Sequence, residues 1–304
     1  MSAGAVVVLA GGSGGAKLAR GMLDVVGPGE LTVIANTGDD IEIYGAYVSP
    51  DPDLISFWLA DRIDARGWGL QNDTFHVMDG LRELGVDVWF NLGDRDLAIG
   101  LERRRRLDAG ARLTDAQAVV TAALKVDATV LPMTDRPVRT RVLADGRWWP
   151  LQEFLIRDRG QGEVRDVDFR GVRAAPPTPE TLAALAGARA IVIGPSNPVI
   201  SIGPILAVPG IKRALQHSPA PVVAVSPVVR NEVLKGPTAA FMRAAGWPLS
   251  SDGIAAAYHG LLDGLVADQR TEALPVLETS VLMDTPQARR QVAEQTLTFA
   301  RTLA

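Results

Sequence analysis

AVVVLAGGSGGAKLARGMLDVV, residues 5–26, is followed after a short turn by LTVIA, residues 31–35. Ala5–Ala10 is an apolar β run that passes straight into Gly11, Gly12, Ser13, Gly14 and Gly15. An amphipathic stretch from Ala16 to Val26 and a second β run, Leu31–Ala35, complete the opening of a βαβ unit. Glycines at this place let backbone N–H groups approach a phosphate at a helix N-terminus. Two familiar patterns nevertheless fail. In the Walker pattern, read from Gly11, the second glycine is replaced by Ala16, and Lys17 is followed by Leu18, which cannot ligate magnesium. In the dinucleotide pattern, read from Gly12, the last glycine is Lys17, and the second strand ends at Asn36 rather than at a ribose-binding acid. The loop points to a phosphate-bearing ligand outside both the P-loop ATPases and the ordinary dehydrogenases.

The same design recurs along the chain: a short apolar run, then an abrupt polar or Gly/Pro loop. Thr32–Ala35 leads to Asn36-Thr37-Gly38-Asp39-Asp40, and Val86–Leu92 to Gly93-Asp94-Arg95-Asp96. Thr129–Leu131 leads to Pro132-Met133-Thr134-Asp135, Ala190–Ile193 to Gly194-Pro195-Ser196-Asn197-Pro198, and Val222–Val225 to Ser226-Pro227. Continuous apolar strands are buried on both faces, so the fold class is α/β: a Rossmann-like, mainly parallel sheet flanked by helices. Loops at the carboxyl ends of such strands line the ligand crevice. Two stretches break the rhythm. Residues 53–84 read as helical, and residues 138–172 as a β-hairpin insertion turning at Asp145-Gly146. A helix is expected over Pro179–Ala186, and Pro286–Leu303 reads as a closing helix. The whole, 1–304, reads as a single domain with these two additions.

The composition excludes several chemistries. No cysteine is present, which removes thiol catalysis, disulfides and cysteine-held zinc or iron–sulfur clusters. His76, His217 and His259 are scattered and suggest no histidine metal site. A net charge of −4 argues against general nucleic-acid binding. The run Arg103–Arg106 reads as a solvated helix face or an oligomer contact, with phosphate binding as the alternative. No apolar run is long enough to span a bilayer, and no signal peptide is evident. A cytoplasmic protein with no membrane partner is expected.

Acids gather in three loops: Asp39 and Asp40; Asp51 and Asp53, within two stiffening prolines; Asp94 and Asp96, around Arg95. Their hard oxygens suit Mg²⁺, which also takes phosphate oxygens, or they serve to orient an attacking hydroxyl. Helix capping is the plainer alternative, and Asp53 stands where an N-cap would. Gly194-Pro195-Ser196-Asn197-Pro198 is rigid and rich in donors and acceptors, suited to a phosphate or a base edge. Trp58, Trp68, Phe75 and Trp89 are either core residues or platforms for a flat ligand.

Taken together, AGGSGGAKLARGM, NTGDD, SPDPD, GWGLQNDTF, LGDRDLA, LPMTDRPVRT, IGPSNPVISIGPIL and VSPVVRNEVLKGP resemble the 2-phospho-L-lactate transferase family of coenzyme F420 biosynthesis, in order from residue 5 to about 270. The resemblance implies a Mg²⁺-dependent transferase. Such an enzyme moves a phospho-carboxylic-acid unit from a guanosine diphosphate-linked donor to the ribityl hydroxyl of the deazaflavin Fo, with release of GMP. It also implies a homodimer whose substrates are small molecules. On this resemblance the donor site comprises Gly11, Gly12, Ser13, Gly14, Gly15, Lys17, Asn36, Gly194, Ser196 and Asn197. Asp53 and Arg95 contact the deazaflavin, residues 53–84 form the acceptor-site segment, and Asp40 and Asp53 are the catalytic and metal-binding acids. Ser13 departs mildly from the threonine or valine of many members. The alternatives are an oxidoreductase, supported only by the βαβ opening, and a non-catalytic nucleotide-binding regulator. Phospholactate, phosphoenolpyruvate and phosphoglycerate units all remain open as the group transferred.

Overall fold

A computed structural model describes residues 4–233 and 236–304. Leu234 and Lys235 of the VSPVVRNEVLKGP motif, and residues 1–3 of the 1–304 domain, lie outside the described residues. In chain order, β1 (Val6–Ala10), α1 (Gly12–Val26) and β2 (Leu31–Ala35) form the opening unit. A small antiparallel pair, β3 (Ile41–Ile43) and β4 (Ala46–Val48), precedes α2 (Pro50–Leu59), α3 (His76–Glu83), α4 (Asp94–Asp108) and α5 (Leu113–Leu124). The chain returns to the main sheet at β5 (Thr129–Pro132) and leaves it again through β6 (Arg139–Ala144), β7 (Arg147–Pro150), α6 (Leu151–Ile156) and β8 (Val164–Arg170). Next come α7 (Pro179–Ala186), β9 (Ala190–Ile193), α8 (Ile202–Ala207), α9 (Ile211–Gln216) and β10 (Val222–Val225). The last part comprises β11 (Val228–Val229), β12 (Glu232–Val233), α10 (Thr238–Ala244), α11 (Ser251–Ala257), β13 (Gly264–Ala267), β14 (Val276–Glu278) and α12 (Pro286–Thr302).

The main sheet has seven strands in the order β14-β13-β10-β9-β1-β2-β5, all parallel. Its strands are apolar throughout because both faces are covered. Val6, Val8 and Ala10 pack under α1, α2 and α12, while Val7 and Leu9 pack against α8, α9 and α11. From β1 the chain builds β2 and β5 on one side, then crosses to build β9 and β10 on the other. This reversal opens a crevice beyond the carboxyl ends of β1 and β9, where ligands of open α/β sheets bind. The insertion is a separate antiparallel sheet, β7-β6-β8, and its tight turn uses the left-handed pair Asp145 (φ 51°) and Gly146 (φ 79°). Among the described residues no helix is long and apolar enough to cross a membrane.

Four sequence expectations need correction. Val86–Leu92 is not a strand. Its alternate residues Val88, Phe90 and Leu92 pack with Ala46, Val48, Met78 and Leu97, but among the described residues no strand pairs with it. Residues 53–84 are not one helix: α2 ends at Leu59, and an irregular stretch held by a bridge between Ile63 and Leu70 leads to α3. Helix α1 begins at Gly12 rather than Ala16, so most of the glycine loop is its first turn. Asp53 is not an N-cap; Ser49 holds that position and α2 starts at Pro50. The strands β13 and β14 were not anticipated from sequence.

Candidate active site

The crevice holds a cavity of about 560 Å³. One wall is the start of α1, with Gly11, Gly12, Ser13, Gly14 and Lys17; the facing wall is Pro195, Ser196 and Asn197, with Ile200 and Ser201. Asn36, Asp39 and Asp51 lie between these walls. Ser226, Pro227 and Thr238 extend the cavity beyond β10, and Trp68, Leu151, Leu155, Val281 and Met283 supply apolar lining.

The glycines bring the walls together. Gly12 takes φ +62°, and a Cβ on Gly14 would lie 2.1 Å from the Pro195 carbonyl oxygen. Gly15 and Gly194 sit beneath the cavity, Gly194 against Leu9 and Gly15, and Gly15 against Ala10 and Ser196. Ser196 Oγ accepts the Gly11 N–H at 3.2 Å. Asn197 Oδ1 accepts the N–H groups of Val199 and Ile200 at 2.9 and 3.2 Å, fixing the turn, while its Nδ2 donates to Thr238 Oγ1 at 3.2 Å.

The acids are arranged differently from the sequence expectation. Residues two apart on a helix point away from each other, and the first turn of α2 shows this. Asp51 faces the cavity, where its Oδ1 accepts the Gly12 N–H at 2.5 Å and its Oδ2 accepts Asn36 Nδ2 at 2.8 Å. Asp53 points the other way, into a buried ion pair with Arg103, whose Nη1 donates to Asp53 Oδ2 at 3.0 Å. Arg103 also donates to the Tyr47 carbonyl at 3.0 Å and to Gln117 Oε1 at 3.2 Å. Gln117 in turn donates to Ser56 Oγ at 3.0 Å, tying α2 to α4 and α5. Arg103 is therefore not a solvated residue like Arg104 and Arg105; it is fully buried.

Asp53 lines neither this cavity nor a smaller neighbouring one. Asp40 lines the smaller one and accepts from Tyr47 Oη at 2.9 Å and Ser49 Oγ at 2.7 Å. Arg95 is exposed in the first turn of α4 and lines neither; its N–H donates to Asp73 Oδ1 at 2.9 Å. The expected acids Asp40 and Asp53 and the cation Arg95 are thus not gathered with the glycine loop, whereas Asp39 and Asp51 are. Asp284 was missed; it lines the cavity and pairs with Lys17 at 3.4 Å. Of the aromatics, Trp68 lines the cavity, Trp58 is core, Phe75 packs under α3 and α4, and Trp89 stacks beneath Arg157.

Electrostatically the cavity floor is starved of positive charge. Burial, then the neighbouring Asp51 and Asp40 carboxylates, push Asp39 well above the usual carboxylate range. Burial pushes Asp51 up to about 6, against the hydrogen bonds from Asn36 and Gly12. Burial likewise raises Asp40 to about 7, opposed by Arg139, Ser49 and Tyr47. Asn36 Nδ2 lies between the two cavity acids, 2.8 Å from Asp51 and 3.4 Å from Asp39, and carries no charge. Two hard carboxylates facing a helix N-terminus across an uncharged amide fit a divalent cation shared with a phosphate. Among the described residues no group of three or more His, Cys, Asp or Glu side chains converges on one point, so the protein offers such an ion few ligands of its own.

Comparison with known proteins identifies the family. The sequence profile described as 2-phospho-L-lactate transferase CofD matches residues 6–297. The 2-phospho-L-lactate transferase of Methanosarcina mazei is 39% identical over 269 residues, covering 88% of each chain. That of Methanocaldococcus jannaschii is 37% identical and covers 98% of this chain and 99% of its own. The phosphoenolpyruvate transferase of Kitasatospora aureofaciens is 37% identical, covering 95% and 97%. A crystal structure of a UPF0052 family protein from Bacillus halodurans shares the fold, with a TM-score of 0.61 at 17% identity, covering 96% of this chain and 99% of its own. With the family profile spanning nearly the whole chain and full-length relatives well above one-third identity, this chain belongs to the 2-phospho-L-lactate transferase CofD family and is a transferase.

Proposed function

We propose that the chain transfers a phospho-carboxylic-acid unit from a guanosine diphosphate-linked donor to the ribityl hydroxyl of the deazaflavin Fo, with Mg²⁺, releasing GMP and forming coenzyme F420-0 or its dehydro form. The observation that carries this reading is the cavity at the β1/β9 switch point, walled by a helix N-terminus and floored by the Asp39–Asp51 pair. Relatives named for phospholactate and for phosphoenolpyruvate are similarly close, so the unit moved is a three-carbon phospho-acid of this kind.

The residues suit the reaction. The N–H groups of Ser13, Gly14 and Gly15 at the first turn of α1 offer partial positive charge to the diphosphate. Lys17 faces the same space from the next turn. Ser226, Pro227 and Thr238 lie where the nucleoside would extend. The acceptor hydroxyl oxygen bonds to the phosphorus that carries the acid. The bond from that phosphorus to the bridging oxygen breaks, the electron pair leaves with GMP, and the hydroxyl proton passes to a carboxylate of the buried pair. Such a reaction needs positioning and charge neutralisation more than covalent catalysis, which agrees with a site free of nucleophilic thiols.

Asp39 and Asp51 are the residues that would hold Mg²⁺, and the ion would neutralise charge on the transferred phosphoryl group. Two like charges about 4 Å apart repel by about 4 kcal/mol at an effective dielectric of about 20, so a diphosphate beside this pair needs a cation. Family membership, with its transferase activity, sets aside the regulator and oxidoreductase alternatives. The test is GMP formation from Fo and the guanylated donor. Activity lost in EDTA and restored by Mg²⁺ supports the reading; full turnover after rigorous chelation refutes the metal's part in it.

A further inference from the structure

A second cavity, of about 260 Å³, adjoins the first and shares Asp39 and Leu151 with it. One wall is the β6–β8 pair of the insertion, and residues 38–42, with Asp39, Asp40 and Glu42, line the other side. Arg139 and Arg141 alternate on one face of β6, and Arg170 on β8 stands in register opposite Arg139. Like charges directly opposite on paired strands destabilise a sheet unless something neutralises them. Arg141 is neutralised locally, its Nη2 lying 2.5 Å from Asp168. Arg139 has no close ion pair: it lies 3.8 Å from Glu42, which Arg104 holds at 2.5 Å, while its Nη1 donates to the Val138 carbonyl at 2.9 Å, its guanidinium lies 5.5 Å from the Tyr47 ring and its charge is felt by Asp40. Arg170, exposed at the edge of the cavity, has no ion-pair partner among the described residues. Thr140, 3% exposed, also lines it, and its Oγ1 is buried with no hydrogen-bond partner.

We propose that this cavity is the subsite for the carboxylate of the transferred acid, with Arg139 and Arg170 as its cationic grip. The inference rests on the functional reading above and deepens it by assigning the acid end of the donor to the insertion. Guanidinium groups bind carboxylates through paired, charge-assisted hydrogen bonds, which matches two arginines facing across one strand pair. Size agrees. Pockets for drug-sized ligands run from about 300 Å³ upward, so this space suits a three-carbon acid and not a tricyclic ring with its ribityl tail. Position agrees too: the shared Asp39 places the acid end beside the phosphoryl group, and the nucleotide occupies the larger cavity.

The test compares Arg170→Gln and Arg170→Lys with the unaltered enzyme, measuring GDP affinity, donor KM, acceptor KM and kcat. GDP has no carboxylate, so its affinity should stay within about twofold. Donor KM should rise on the order of 10- to 100-fold in Arg170→Gln, with partial recovery in Arg170→Lys and no change in acceptor KM. Arg139→Gln should show the same loss. Unchanged donor KM with normal GDP binding overturns the subsite, as does a rise confined to acceptor KM, which would give the cavity to the acceptor. Failure of the unaltered enzyme to bind GDP at all would overturn the functional reading itself.

Discussion

Removing Asp53 should unfold this protein before it silences a catalyst. The side chains of Arg103 and Asp53 are 0% and 5% exposed, and the pair joins α2 to α4. Without Asp53, the Arg103 guanidinium keeps only the Tyr47 carbonyl and Gln117 Oε1 as acceptors, both neutral. Breaking a buried ion pair by deleting one partner costs about 3–5 kcal/mol, because the remaining charge stays desolvated. That is a large fraction of the roughly 5–15 kcal/mol that holds a typical domain together. For a chain of this size it corresponds to a fall of roughly 5–8 °C in Tm. Asp53→Ala and Arg103→Met should each show this loss in thermal or urea unfolding. The double variant Asp53→Leu/Arg103→Met should recover part of it, since no charge is left buried. Turnover in the single variants should fall with the ordering of α2, because that helix also carries Asp51. An Asp53→Ala protein as stable as the parent but inactive would refute the reasoning and return Asp53 to direct contact with substrate.

Gly14→Ala should lower GDP affinity at least about tenfold or cost about 1–3 kcal/mol of stability, because its Cβ would meet the Pro195 carbonyl at 2.1 Å; titration and melting curves together check this. Metal-free protein should lose stability as pH rises. Asp51 and Asp40, at about 6 and about 7 when folded against 3.8 ordinarily, bind protons more tightly in the native state. Their stabilisation is complete below about pH 4 and is lost as pH climbs through about 6 and 7. Melting in EDTA between pH 5 and 8 should show the decline, with a shallower slope in Asp40→Asn. A parent Tm that rises over this interval, with no difference in the variant, would contradict it.

The central strands were legible because burial on both faces leaves an unbroken apolar run, as in Val6–Ala10 and Ala190–Ile193. The insertion was legible from Asp145-Gly146, a pair suited to left-handed backbone. Val86–Leu92 misled because an apolar run before a polar loop reports burial, not that a strand lies alongside; here the core is the cluster around β4, α3 and α4. The switch-point cavity was also legible, since the glycine loop and Gly194–Pro198 end neighbouring strands. The choice of acids was not. Asp51 and Asp53 look equivalent in sequence, and only the helical start at Pro50 sends one to Gly12 and the other to Arg103. Arg103 is hidden in a run of four arginines, yet Leu97, Gly100 and Arg103 fall at spacings of three along the buried stripe of α4. That spacing was the available signal.

The most direct test of the account is a crystal structure with GDP and Mn²⁺ in place of Mg²⁺. The account predicts the diphosphate at the first turn of α1, the guanosine running toward Ser226 and Thr238, and an anomalous peak between Asp39, Asp51 and the phosphate oxygens. A diphosphate bound elsewhere, or a metal on Asp40 or Asp53 with Asp39 and Asp51 left apart from it, would contradict the assignment of this cavity as the donor site.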